Sequence, residues 1–317
     1  MNKRRHPLLI IACLLTFLAV VIHIINKLIF SLAVFKNISN AKDGEYYHWR
    51  FGNIFYTKQG SGAPILLVHD LTPIGNLAEW DSIVTKLSKN HTVYTLDLLG
   101  CGLSDKPKMT YTNFLYVQLI TDFVENIIGQ KTNVIASGLS GSFIVMACAN
   151  DENIFDKVML VSPEDIGSLS QIPTRTSKIA KWLLELPLVG TLVYNALTSK
   201  SSIELLFTEK YLHNPFDLKQ STIDIHHEAA HTRSGGGKYL LSSIIGKYIH
   251  FNISHGLKSI NNSVFIITGE HHAECDEIIA RYTLLNPAVE HESISKSKSL
   301  PHYEAPEQLL ELVRTFF

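Results

Sequence analysis

The chain has no surplus of positive charge. Its 28 Lys and Arg stand against 29 Asp and Glu, a net charge of -1, so nothing compensates a phosphate backbone and no nucleic-acid partner is expected. Cysteine is scarce as well. Cys13 lies in the apolar N-terminal run, leaving Cys101, Cys148 and Cys275 as an odd set without close spacing. That excludes a disulfide framework and a C-x-x-C zinc or redox centre, and Cys148 reads as a small buried hydrophobe on a helix. Internal repeats and low-complexity tracts are missing too, and no cofactor is called for. What the chain does have is hydrophobic residues, 46% of 317. This content suits one large α/β domain with an appendage better than two equal domains.

The longest apolar run is Leu8 to Asn26, extended by Leu28 to Phe35 past a lone Lys27. At the helical rise the first run alone spans roughly 28 Å, close to the hydrocarbon thickness of a bilayer. A single-pass transmembrane anchor is expected over residues 1–36. A cleaved signal peptide would have a shorter apolar core and an early small-x-small site; only Ser31-Leu-Ala33 resembles one, far down the run. Lys3, Arg4 and Arg5 before the run favour a cytoplasmic N-terminus and an extracytoplasmic globular part, and Lys27, Lys36 and Lys42 act against that bias.

Beyond the anchor, Glu45 to Arg50 and Asn53 to Lys58 read as two strands joined at Phe51-Gly52. Strands at Pro64–His69, Thr92–Asp97, Thr132–Ala136 and Lys157–Ser162 then alternate with helices at Asn76–Ser88, Tyr111–Ile128 and Leu139–Asn150. Alternation of this kind predicts an α/β fold, a mostly parallel sheet covered by helices on both faces. From Pro163 to Asn262 the pattern becomes helical without a clear strand, with Pro187 separating two segments and Gly235-Gly-Gly237 marking a loop. A strand returns at Ser263–Thr268, then a helix near Asp276–Leu284, a weak strand at Ala288–Glu292 and a closing helix at Pro306–Phe317. The expected division is a core of 37–162 and 263–317 interrupted by a helical lid at 163–262.

Val134-Ile-Ala-Ser-Gly-Leu-Ser-Gly-Ser142 has the build of a nucleophile elbow, a sharp strand-to-helix turn that needs small neighbours on either side of its tip. Leu66-Leu-Val-His69-Asp70 ends a strand, and Asp97-Leu-Leu-Gly100-Cys-Gly102-Leu-Ser104 forms a D-x-x-G-x-G-x-S loop. In this order the three segments resemble the α/β-hydrolase family from about Glu45 to the C-terminus, outside the lid. The resemblance implies a G-x-S-x-G elbow read here as Ala136-Ser137-Gly138-Leu139-Ser140, and an oxyanion hole after a His-Gly pair in which Asp70 replaces the glycine. Element lengths favour Gly138 at the elbow tip; Ser140, flanked by Gly138 and Ser142, is the alternative.

The family's chemistry needs a serine to attack, a histidine to take its proton and a carboxylate to orient the histidine. The acid's position after the Ser263–Thr268 strand reads Gly269-Glu270-His271-His272, placing His272 there. The base's position reads Lys298-Ser299-Leu-Pro301-His302-Tyr-Glu304, placing Ser299 there, and a hydroxyl has no useful pKa for proton shuttling. With Gly138, three positions depart together. The expectation is a retained fold without standard Ser-His-Asp catalysis, binding a small apolar or acyl ligand between lid and sheet or acting through a protein partner. The alternative is an active ester or amide hydrolase using Ser140, with Asp165 or Glu164 as acid, His302 as base, and the N–H groups of Leu71 and Gly141 as oxyanion hole.

A third class comes from His227-Glu228-Ala-Ala-His231, an H-E-x-x-H that could hold zinc on one helix face. A third protein ligand is not identifiable, since His271, His272 or Glu270 could reach only if the lid folds over the sheet; fifteen histidines make chance spacing easy, and no metal is expected. Cys101 is read as unreactive, and the His271-His272 pair as solvated loop residues rather than a metal half-site. Trp80 is expected to pack in the core and Trp182 in the lid.

Overall fold

The computed structural model describes residues 5–38 and 43–317; Lys3, Arg4 and Lys42, which entered the reading of orientation, lie outside them. Helix α1 covers Arg5–Ala33, and Leu8–Ala33 is long and apolar enough to cross a membrane, with none of its apolar window buried. An eight-stranded sheet follows. Its strands are β1 (Glu45–Trp49), β2 (Gly52–Gln59), β3 (Ala63–Val68), β4 (His91–Leu96), β5 (Thr132–Ser137), β6 (Phe155–Val161), β7 (Ser263–Gly269) and β8 (Glu290–Ile294). They lie in the order β1-β2-β4-β3-β5-β6-β7-β8, antiparallel at β1-β2 and β2-β4 and parallel from β4 onward.

Burial on both faces accounts for the near-continuous apolar strands. Leu66, Val68, Val134, Ala136, Val158 and Leu160 face one cluster, while Ile65, Leu67, Ile135, Met159 and Val161 face the other. The period of two thus feeds alternate residues to opposite cores. Helices α2 (Asp81–Leu87), α3 (Asn113–Phe123) and α4 (Ser140–Asn150) occupy the crossovers. The helix expected over Asn76–Ser88 is split: the Asn76 side chain accepts the Ala78 N–H and starts a 3-10 turn over Leu77–Trp80 before α2 begins. The last strand lies two residues later than its sequence reading, because its register is set by pairing with β7, Phe265 opposite Glu290, rather than by an apolar pattern of its own.

Between β6 and β7 the chain is helical: α5 (Ile166–Leu169), α6 (Arg175–Glu185), α7 (Val189–Leu197), α8 (Lys200–Leu206), α9 (Gln220–His231), α10 (Gly237–Ile245) and α11 (Ser254–Ser259). After β7 come α12 (Cys275–Leu285), α13 (Pro301–Glu304) and α14 (Pro306–Phe316). Trp80 is fully buried, whereas Trp182 on α6 is 61% exposed. The expectation that Trp182 packs within the insertion is corrected: α6 turns Ser177 and Leu184 inward and leaves Trp182 outside.

Candidate functional site

The site forms where β3 and β5 end side by side, at Val68 opposite Ala136. Strand β5 stops at Ser137, Gly138 adopts a left-handed φ of 53°, and α4 begins at Ser140. The sharp turn therefore sits at Gly138, a conformation a residue without Cβ reaches at little cost. A Cβ on Gly138 would run into the Asp70 carboxylate. Asp70 Oδ1 accepts the Leu139 N–H at 2.9 Å, the backbone donor that follows the tip.

Hydrogen bonds lock this arrangement from beneath. His69 Nε2 accepts the Leu98 N–H at 3.1 Å, so its Nδ1 carries the proton donated to Asp70 O at 2.7 Å. Ser140 Oγ donates to His69 O at 2.6 Å and is fully buried, so this hydroxyl points back at the β3 end from the first turn of α4. Gly141 N–H is spent on Gly138 O within the same turn, and Leu71 is a core residue. Asp165 caps α5 through Ser168 N–H and pairs with Arg281 at 2.6 Å. His302 stacks on Trp80 with Nε2 3.4 Å from Glu79 Oε1. Among the described residues, no hydrogen bond joins Ser140, Asp165 and His302.

The standard acid and base positions do meet. His272 Nδ1 lies 2.9 Å from Ser299 Oγ, and that hydroxyl also reaches Lys210 O at 3.2 Å. With its one proton on Lys210 O, Ser299 accepts from His272 Nδ1–H. Burial, with Lys210 and Lys298 nearby, holds the His272 pKa below its ordinary value, so the imidazole is neutral near pH 7. A neutral ring bonded to a hydroxyl supplies no charge to orient or stabilise an imidazolium.

Sequence reasoning missed Glu79. Its Oε2 accepts the Asp70 N–H at 3.1 Å and its Oε1 accepts from Ser137 Oγ, with His302 alongside. Burial raises its carboxyl, but His302, His69 and the Ser137 hydroxyl outweigh that and hold the pKa below the usual carboxylate value. Asp70 behaves oppositely. Burial, then the charges of Glu79 and Glu164, push its pKa up to about 7 against the Leu139 N–H. The two carboxyls thus divide into one ionised and one poised to titrate. The only hint in the sequence was Asp70 in the glycine's place, since Glu79 belongs to no motif.

Asp70, Glu79 and His302 line a cavity of about 340 Å³ walled by Ile74, Phe207 and Leu300. Because Asp70 has a folded pKa above its ordinary 3.8, the native state binds the extra proton, and stability contributed by the protonated carboxyl falls as pH rises from about 4 to 7. Asp70→Asn removes that ionisation. It is expected to match the wild type near pH 4 and to exceed it by about 1 to 3 kcal/mol at pH 8, the size being tempered by access through the cavity. Urea unfolding in mild detergent at both pH values reads the difference, and a gap that stays constant with pH refutes it.

The H-E-x-x-H lies on α9. His227 and His231 rings sit 4.4 Å apart, but His231 is buried against Phe30 and Tyr194 and burial pushes its pKa down to about 4. Glu228 accepts the Ile38 N–H at 2.9 Å, tying α9 to the segment after α1. Among the described residues no group of three or more His, Cys, Asp or Glu is placed to hold a metal. Cys101 is buried with its thiol donating to Thr72 O, and burial raises its pKa far above the ordinary value, which makes it unreactive.

Residues 63–188 match the sequence model described as the alpha/beta hydrolase fold. An uncharacterized protein of Mycobacterium tuberculosis is 29% identical over 137 residues, 41% of this chain and 39% of that protein. The 2-hydroxy-6-oxo-6-(2'-aminophenyl)hexa-2,4-dienoic acid hydrolase of Metapseudomonas resinovorans is 27% identical over 93 residues, 27% of this chain and 31% of that one. The chain thus spans well under half the length of these curated relatives. Among solved structures, the epoxide hydrolase CorEH superposes with a TM-score of 0.71 at 16% identity, over 87% of this chain and 98% of that chain. The matched segment and the superposition agree with the sheet order, and the chain has the alpha/beta hydrolase fold.

Proposed function

We propose that this protein is a membrane-anchored, ligand-binding protein of the hydrolase fold in which serine acyl transfer has been replaced by a carboxylate-lined pocket. The observation that carries the reading is Asp70: its carboxylate takes the space a side chain at position 138 would need and accepts the Leu139 N–H. A substrate carbonyl oxygen seeking that N–H meets an acceptor instead of a donor, which opposes oxyanion stabilisation. The Gly138, His272 and Ser299 set supports the same reading, and α1 supplies the anchor, with the globular part placed extracytoplasmically by Arg5 and its neighbours.

The cavity under the 163–262 lid takes a small ligand with an apolar body. Glu79 and Asp70 on its wall favour a hydrogen-bond donor or cation at the polar end and oppose a free carboxylate, since unpaired buried like charges repel. This narrows the expected apolar or acyl ligand to neutral and cationic forms.

Treating the full chain in mild detergent with a fluorophosphonate probe tests the central point, and no covalent labelling is expected. Labelling abolished by Ser140→Ala would instead establish the serine hydrolase, and stoichiometric zinc lost on His231→Ala would establish the metal enzyme.

A further inference from the structure

The outer face of the insertion is apolar where a soluble surface would be polar. On α6, Ile179, Trp182 and Leu183 are 50%, 61% and 49% exposed, and on α7 Val189, Val193 and Leu197 are 52%, 41% and 51% exposed. Spacings of three and four residues put each set on one helix face. The opposite faces are occupied: Ser177 Oγ bonds Gly246 O, and Tyr194 and Asn195 are buried. An amphipathic helix with its apolar side outward faces a nonpolar medium or a partner.

Contacts with α1 say which. Asn26, at the end of the Leu8–Asn26 run, is buried, whereas none of the apolar window of α1 is buried. Its Nδ2 donates to Leu188 O at 3.0 Å, and its Oδ1 accepts from Asn195 Nδ2 at 2.9 Å. Leu188 precedes α7 with a left-handed φ of 61°, a strained backbone held in part by that bond. Phe30 packs on His231, and Lys36 pairs with Asp224 at 2.9 Å. The apolar face of α7 therefore begins at Val189, one residue beyond the carbonyl that the spanning helix grips. Exposed Arg175 and Lys178 flank Ile179 and Trp182 around a shallow groove of about 500 Å³, the mixture of basic, aromatic and aliphatic side chains that suits a headgroup and acyl-chain boundary.

We infer that α6 and α7 form a second membrane contact, lying in the bilayer interface beside α1 with Trp182 among the upper acyl chains. This rests on the anchor reading and goes beyond it, since one spanning helix requires no further contact. Held at two places, the insertion is fixed against the lipid surface through α6 and α7 as well as through α1.

Trp182 reports on this directly, because the other two tryptophans, Trp49 and Trp80, are 7% and 0% exposed. The full chain is reconstituted into phosphatidylcholine vesicles, with and without phosphatidylglycerol, whose acyl chains carry bromine near the headgroup end. The Trp182 emission, taken as the difference between wild type and Trp182→Phe, is expected to fall about two-fold in brominated lipid, as interfacial depth implies, and to resist aqueous iodide. If the chain floats with the vesicles but Trp182 is quenched by iodide and not by bromine, the anchor stands and this inference falls. If the chain does not float, both fall. A dimer in detergent that Leu183→Glu dissociates, without bromine quenching, assigns the face to a second copy and overturns the inference.

Discussion

Gly138→Ser, which places the family's nucleophile type at the elbow tip, is expected to destabilise the protein by about 3 kcal/mol and to leave it unlabelled by a fluorophosphonate. Roughly 1 kcal/mol comes from a side chain at left-handed φ, and about 2 from forcing a new Cβ into a filled space. The obstruction has one identifiable source, the Asp70 carboxylate. Combining Gly138→Ser with Asp70→Gly should therefore recover about 2 kcal/mol relative to the sum of the single changes, a coupling read from a double-mutant cycle in urea. Simple additivity would mean that Asp70 does not hold the nucleophile's space. Labelling should still fail in the double variant, because His272 and Ser299 remain where an acid and a base would act.

Asp97→Ala is expected to cost more, about 3 to 5 kcal/mol. The carboxylate is 1% exposed and accepts the Leu77 N–H and the Leu103 N–H, each at 2.7 Å. It thereby clasps the 3-10 turn that carries Glu79 to the D-x-x-G-x-G loop. Removing it strands two buried donors, and each unsatisfied group costs about 1 to 3 kcal/mol. Gly102, with φ of 46°, sits so close that a Cβ would strike the same carboxylate, which explains the glycine in that motif. Asp97→Asn keeps one acceptor and should lose about half as much. Thermal unfolding in mild detergent separates the two variants, and equal midpoints would show that the clasp is not the cause.

Much of the scaffold was legible because it depends on local rules. Apolar runs of strand length, buried on both faces, marked β3, β5 and β6, and Gly100 and Gly102 marked the tight loop after β4. Boundaries slipped where a side chain or a pairing partner set them, as Asn76 did for the 3-10 turn and β7 for β8. The site was less legible. Substitutions at Gly138, His272 and Ser299 could be noticed by position, but the replacement network could not, because Asp70, Glu79, Ser137 and His302 come from four separate segments.

By itself the sequence determined that a span-length apolar helix precedes an α/β sheet, since hydrophobic length and period follow from helix rise and strand pleat. It also raised the expectation, through the family resemblance, that serine, histidine and carboxylate are missing from their usual places. Only the tertiary structure decided what fills the vacated space and which way the α6 face points. Both depend on burial against residues distant in the chain: burial, then the charges of Glu79 and Glu164, push the Asp70 pKa up to about 7, and Trp182 faces outward because α6 packs its other side on α10.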